Sequence, residues 1–303
     1  MLALGKAFED NKNYDKSFLY YERGKSIKAS RHPYDPEEFE QEKRWVVNTF
    51  DADFFQKRNG SGHDDASPIF IVGMHRSGST LIEQVLASHS QIDGTKELPN
   101  ISGFATRLAM KHHDFSIVSA RYPMGLSDCE LAELRALGEE YIECTRVHRQ
   151  DAPFFIDKKP ENFIHIGLIR AILPNARIID ARRHPMSVGF SVFRQMFSTH
   201  LGHTNKLFDT GRYYQTYLDF MRHWHRVFPG KIHRVQYEEM VSNTEETVRD
   251  LLNYLGLPFE EACLEFYNNK RTVKTPSAEQ VRQPIYDHAL EQWKNYEEYL
   301  SPL

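Results

Sequence analysis

Cysteine is scarce in this chain of 303 residues: Cys129, Cys144 and Cys263 are the whole set. Their spacing fits neither a metal motif nor a disulfide framework, so reduced thiols in a cytoplasmic protein are the expectation. Long apolar runs are missing too. The longest lies around Ile69–Val72, far short of the roughly 20 residues a membrane helix needs. Met1 to Asp10 carries charge where an export signal would have its apolar core, so neither export nor a membrane span is expected. An excess of positive charge is also lacking. The formal net charge of −4 argues against a general nucleic-acid binder. The histidines invite a metal reading, yet His200/His203 and His223/His225 lack the spacing and carboxylate company of common zinc motifs, and no metal is expected. His112-His113 reads as an exposed helical pair.

What is present suits an ordinary globular protein of one large α/β domain with a small appendage. In residues 2–29, Leu4, Ala7 and Phe8 share one helical face, and Tyr14, Phe18, Tyr21 and Ile27 recur at helical spacing after the break at Asn11–Asn13. This hairpin resembles one tetratricopeptide repeat. A single repeat cannot bury its own face, so either the chain is a piece of a longer repeat protein or the repeat caps the next domain. A third helix is expected from about Pro36 to Phe50, completing a helical segment over 1–58. Residues 59–67, Asn-Gly-Ser-Gly-His-Asp-Asp-Ala-Ser, read as a linker. From 68 to 303 short apolar runs at Ile69–Val72, Phe154–Ile156, Ala176–Ile179 and Ile232–Val235 alternate with helical stretches. That alternation predicts a P-loop-like three-layer α/β domain, a parallel sheet flanked by helices. Anion sites in such sheets lie at the carboxyl ends of the strands.

One such end is informative. Pro68-Ile-Phe-Ile-Val-Gly73 runs into Met74-His75-Arg76-Ser77-Gly78-Ser79-Thr80, and Leu81–Leu86 then reads as helix. Glycines at 73 and 78 before a helix start let unpaired backbone N–H groups converge on an anion. The triphosphate version of this loop has Lys directly after its second glycine; here Ser79 stands there, and the cation, Arg76, comes two residues before that glycine. The order Arg-Ser-Gly-Ser-Thr resembles the 5′-phosphosulfate loop of the sulfotransferases that use 3′-phosphoadenosine 5′-phosphosulfate (PAPS). That likeness implies His75, Arg76, Ser77, Gly78, Ser79 and Thr80 as donor-binding residues.

A PAPS donor carries a second anion on its ribose. Between Arg146 and Arg194 there are nine Lys/Arg against four Asp/Glu, a locally basic region, and it contains Arg183-His-Pro-Met-Ser-Val-Gly-Phe-Ser191 after an apolar strand. The Arg-to-Ser interval is similar to the family's 3′-phosphate element. Arg182 is the alternative binder, though the spacing favours Arg183. The resemblance runs from Pro68 to the C-terminus and is strongest to tyrosylprotein sulfotransferases and to bacterial sulfotransferases carrying tetratricopeptide repeats. Further matches are Asp157-Lys158-Lys159-Pro160, similar to the family's donor-facing lysine segment, and Val235-Gln236-Tyr237-Glu238, similar to its strand-end Tyr-Glu element. Thr275-Pro-Ser277 through Arg282-Gln-Pro284, followed by Trp293, resembles the segment that closes over the nucleotide. Tyr237, Ser277 and Arg282 join the donor set on that ground.

The resemblance implies sulfuryl transfer from PAPS to a hydroxyl or phenol, with 3′,5′-ADP as product and no metal required. Arg76 and Lys158 would stabilise the leaving phosphate, by analogy with phosphoryl chemistry. Glu97, in Gly94-Thr-Lys-Glu97-Leu-Pro, is the candidate general base, the other possibility being a structural ion pair with Lys96 or Arg76. Two alternatives stay open: a P-loop kinase, and a repeat-based binding module with an inactive sulfotransferase domain. Asp180 ends an apolar strand and would be a Walker-type aspartate only in the kinase reading. The acceptor — peptide, glycan or small hydroxyl compound — is not legible, although the segment from Ile101 to Arg149 and the aromatic stretch Phe208–Trp224 are expected to build its pocket. A second copy of the chain is a candidate partner.

Overall fold

The computed structural model describes residues 1–110, 122–123, 125–126, 129–197, 201–273, 275, 278–285 and 288–303. The chain opens with α1 (Leu2–Asp10) and α2 (Tyr14–Arg31), an antiparallel hairpin in which Asn13 caps α2 by accepting from the Lys16 N–H. Pro36 begins α3 (Pro36–Thr49) behind the Asp35 cap, and Asp51 caps the short α4 (Ala52–Lys57). The expected helices are there.

The sheet follows. β1 (Pro68–Gly73) leads through the glycine loop into α5 (Ser79–Leu86) and then β2 (Ile92–Gly94). α6 (Asn100–Met110) and α7 (Leu131–Thr145) precede β3 (Phe154–Lys158); α8 (Ile166–Ile172) links it to β4 (Arg177–Arg182). α9 (Pro185–Arg194) and the long α10 (Leu207–Val227) come next, then β5 (Ile232–Gln236), α11 (Tyr237–Ser242) and α12 (Thr244–Leu255). The five strands are parallel in the order β2-β3-β1-β4-β5. β1 therefore has β3 on one side and β4 on the other, and the chain reverses its direction of travel across the sheet there. Such a switch point opens a crevice at the carboxyl ends of the strands.

The central strand β1 is apolar and buried along its whole length because helices cover both faces of the sheet. Phe70, Val72 and Ile178 face the core under α3, α6, α7, α8 and α10, whereas Ile69, Ile71 and Ile179 face α5 and α12. Within α10, Tyr213, Tyr217, Phe220, Met221 and Trp224 are buried in the first of these cores. Its aromatic stretch thus packs the domain instead of lining an acceptor pocket. Residues 59–67 are also more tightly held than a linker: the His63 N–H donates to Ile172 O at 2.8 Å, and Gly62 lies against the backbone of Ala171. β2 was not among the expected strands; its few residues give a periodicity signal too short to read.

Candidate active site

Backbone geometry at the end of β1 depends on glycine. At Gly73, φ is 142° and an added Cβ would stand 2.4 Å from Ala181 O on β4; at Gly78, φ is 95° and a Cβ would meet the Tyr237 ring at 2.5 Å. Arg76 itself takes a left-handed φ of 67°. For a non-glycine residue that costs about 1–3 kcal/mol, and such strain collects at functional sites. Ser77 Oγ donates to Met74 O at 2.7 Å and so closes the loop on itself. Ser79 and Thr80 are buried in the first turn of α5, whose leading N–H groups have no intrahelical acceptor. Cations stand beside them.

Arg76 Nε donates to Ser191 Oγ at 3.1 Å, and Arg183 Nη1 donates to Arg76 O at 3.3 Å. Two segments far apart in the chain are thereby joined. The Arg183 guanidinium lies 4.4 Å from the Tyr237 ring centroid, and Gly78 is what lets that ring approach the loop. Together Arg76, Gly78, Thr80, Arg183 and Tyr237 line a cleft of about 490 Å³. A contiguous pocket of about 350 Å³ is lined by Arg76, Arg183, Ser187, Ser191, Arg194 and Trp293. Arg182 does not take part: it pairs with Asp180 at 2.6 Å and donates to Tyr217 Oη at 3.4 Å. Asp180 is fully buried in that pair, the strand-end role rather than the Walker one.

Across the sheet, Lys158 at the end of β3 is 2 % exposed and its Nζ donates to Glu97 Oε1 at 2.6 Å. Glu97 is half exposed. A second carboxylate, Glu83 Oε2 of α5, lies 3.9 Å from the same Nζ, and Glu83 Oε1 accepts from Arg271 Nη2 at 2.7 Å. Arg271 also donates to Thr95 O at 2.8 Å. The ion pair foreseen for Glu97 thus exists, but with Lys158. Next to Lys158, burial pushes the Asp157 carboxyl up to about 7 although Tyr141 donates to it at 2.8 Å.

The closing segment is present in part. Arg76 Nη2 donates to Gln280 Oε1 at 3.3 Å, Thr275 and Thr80 hydroxyls are 3.2 Å apart, and Trp293 stacks on His184. Arg282 donates to Asn269 O and Arg271 O, bracing this segment from outside. Ser277 and the pair His112-His113 lie outside the described residues. His75 sits at the loop rim with its ring edge-on to Phe197. Among the described residues no group of His, Cys, Asp and Glu could hold a metal ion, and no helix is long and apolar enough to cross a membrane. Sequence reading missed Glu83, Gln280, Arg271 and Arg194. For Glu83 a signal was available: a carboxylate amid Leu81, Ile82, Val85 and Leu86 of a wholly buried helix needs a cationic partner.

The model of the sulfotransferase family matches residues 68–261. A protein of Aquifex aeolicus is 32% identical over 304 residues, covering 99% of this chain and 40% of that protein. Protein-tyrosine sulfotransferase of Drosophila melanogaster is 24% identical over 249 residues, 74% of this chain and 46% of its own length. Protein-tyrosine sulfotransferase 1 of Danio rerio is 25% identical over 252 residues, 76% of this chain and 66% of its own length. The chain thus spans less than half the length of the first two. Among solved structures, the sulfotransferase domain of the Synechococcus olefin synthase superposes with a TM-score of 0.53 at 21% identity, covering 77% of this chain and 89% of that one. That of the curacin biosynthetic pathway gives 0.52 at 20%, covering 77% and 92%. Both share the fold.

Proposed function

The chain belongs to the sulfotransferase family, and from that premise we propose that it moves a sulfuryl group from PAPS to a hydroxyl or phenol oxygen, leaving 3′,5′-ADP. The observation that carries this reading is the meeting of two cationic elements at one crevice: Arg76 with the loop at the end of β1, and Arg183 with Ser191 after β4. A ligand with one anion needs only the first; a nucleotide with separated 5′ and 3′ anions uses both. The residues present fit it: Gly78 lets the Tyr237 ring close on the loop, and that ring lines the cleft together with Arg76, Thr80 and the buried Arg183.

When bound, the donor supplies a sulfuryl group on a phosphate leaving group. The S–O bond to that phosphate breaks, with its electron pair staying on the phosphate oxygen, as a bond from the acceptor oxygen to sulfur forms. Ser79, Thr80 and the loop N–H groups hold the 5′ oxygens, and Arg76 and Lys158 balance the charge that builds on the leaving oxygen; donors aimed at developing charge each contribute roughly 3 kcal/mol. Glu97 takes the acceptor proton. Its half-exposed position beside buried Lys158 supports that role: the carboxylate is accessible, and the lysine holds it in place. The relatives named protein-tyrosine sulfotransferases support a tyrosine phenol as acceptor, and we read the α1–α2 hairpin as one tetratricopeptide-like unit.

Thermal unfolding with ligands tests the donor. Saturating 3′,5′-ADP is expected to raise the melting temperature because it binds only the folded chain. A shift with Mg-ATP and none with 3′,5′-ADP would favour a kinase. Retained 3′,5′-ADP binding without sulfate transfer to any of a broad set of hydroxyl acceptors would favour an inactive binding module.

A further inference from the structure

The pocket beside Ser191 contains a cation that neither the glycine loop nor the Arg183–Ser191 element supplies. Arg194 lies one helical turn beyond Ser191 on α9 and lines this pocket with Arg183 and Ser187. Its Nη1 donates to Glu9 Oε1 at 2.8 Å, and among the described residues its other N–H groups have no hydrogen-bond partner. Glu9 belongs to α1, in the N-terminal hairpin, and is 7% exposed. Three more donors converge on it: Gln292 Nε2 at 2.9 Å on Oε1, and Tyr21 Oη at 3.0 Å and Tyr296 Oη at 3.2 Å on Oε2. A carboxylate held by that many donors is fixed in place, and it fixes the arginine in turn.

The hairpin grips the same helix at a second point. Lys25 Nζ donates to Gln195 O and Thr204 O, each at 2.8 Å, and Lys28 Nζ donates to Phe197 O. Gln195 and Phe197 are the carbonyls just past the end of α9, where a helix leaves its last C=O groups unpartnered and favours cations. The hairpin therefore sets both the C-terminal end of α9 and the direction of its last arginine.

We infer that Arg194 is a third anion-binding side chain of this pocket and that Glu9 is its positioning residue, so the N-terminal hairpin is a working part of the site for the 3′-phosphate of a nucleotide. The inference rests on the donor reading above. Arginine in a fixed fork suits a phosphate. Glu9 leaves most of that fork uncommitted, because it takes one Nη1 bond and divides its charge among four donors.

Titration calorimetry with two probes, 3′,5′-ADP and 5′-AMP, separates the inference from the reading beneath it. If wild-type protein binds both equally, the pocket holds no 3′-phosphate and the donor reading itself fails. If it prefers 3′,5′-ADP, the variants decide. Arg194→Gln is expected to weaken 3′,5′-ADP roughly tenfold or more while 5′-AMP stays unchanged, and Arg194→Lys to recover part of that loss. Glu9→Gln keeps an acceptor but removes its charge, and is expected to weaken 3′,5′-ADP alone by about threefold. Equal effects of Arg194→Gln on both probes, or none on either, would overturn Arg194 as a ligand. Tighter 3′,5′-ADP binding in Glu9→Gln would make Glu9 a competitor of the phosphate and overturn its positioning role. Because Glu9 also ties Tyr21 and Tyr296, each variant is compared at a temperature where its ligand-free form is fully folded.

Discussion

Lys158 stands between two carboxylates of unequal exposure, and that inequality separates their roles. Glu83 is buried and shared with Arg271, so it is fixed; Glu97 is half exposed. Glu97→Gln is therefore expected to keep 3′,5′-ADP affinity within about twofold while turnover falls about 10²–10⁴-fold, measured with any acceptor that works. Full activity would remove Glu97 from the chemistry. Arg76→Ala and Arg183→Ala are expected to weaken 3′,5′-ADP by at least about tenfold each, and unchanged affinity in calorimetry would exclude that arginine from the site. Asp157, one residue before Lys158, carries a separate prediction. Its folded value is raised to about 7 by burial, so its stabilising contribution is complete below the unfolded value near 4 and is lost as pH rises through 7. Asp157→Asn keeps a group for Tyr141 to donate to and removes the charge. The variant is expected to gain about 2–3 kcal/mol more over wild type at pH 8 than at pH 5, read from denaturant midpoints at the two pH values. A gain that is the same at both would show that Asp157 is not protonated by burial.

At the scale of elements, the loop between β1 and α5 depends on Gly78 twice over, for its positive φ and for the approach of Tyr237. Gly78→Ala is expected to cost about 1–3 kcal/mol of stability and most of the 3′,5′-ADP affinity. Adding Tyr237→Ala relieves the clash but not the backbone strain, so it should restore only part of the stability. Full restoration in a thermal melt would place the whole effect in the side-chain contact. Gly73, Gly78 and Arg76 were legible in the sequence because backbone conformation and helix-terminus electrostatics impose residue types at fixed spacing. Arg183 was singled out through the family resemblance of its interval to Ser191, and the structure brings both residues to Arg76. Glu83 and Arg271 were not legible, since their pairing joins α5 to a segment far along the chain, and no local period reports a long-range ion pair. The aromatic stretch of α10 was misassigned to a pocket for a related reason: Tyr213, Tyr217 and Trp224 have the composition of a binding surface, and only the packing of α3 and the turn at Phe163 against them reveals a core.

For the molecule as a whole, the question is whether the N-terminal hairpin is a separate body or one part of a single cooperative unit. In the sequence, one repeat-like hairpin has an apolar face that it cannot cover itself, which left open a piece of a longer repeat protein or a repeat that caps the next domain. In the structure that face is covered by the other end of the chain. Phe18 stacks on Tyr299 with centroids 4.6 Å apart and on Phe193 at 6.0 Å, and Tyr21 meets Phe190 edge-on at 6.4 Å. The buried hydroxyl of Tyr296 bonds both Ser17 and Glu9. The cluster thus spans α1, α2, α9 and the C-terminal residues, and loosening any one exposes the rest. Unfolding of the hairpin alone would leave Phe193, Phe190 and Tyr296 in water and strip Arg194 of Glu9, so a low-temperature transition confined to the hairpin is not expected. Phe18→Ala removes a buried aromatic side chain, a loss of about 3–5 kcal/mol. It should lower the main melting transition by about 5–10 °C and leave one calorimetric peak. A variant with two peaks, the upper one at the wild-type temperature, would mean that hairpin and sheet fold independently.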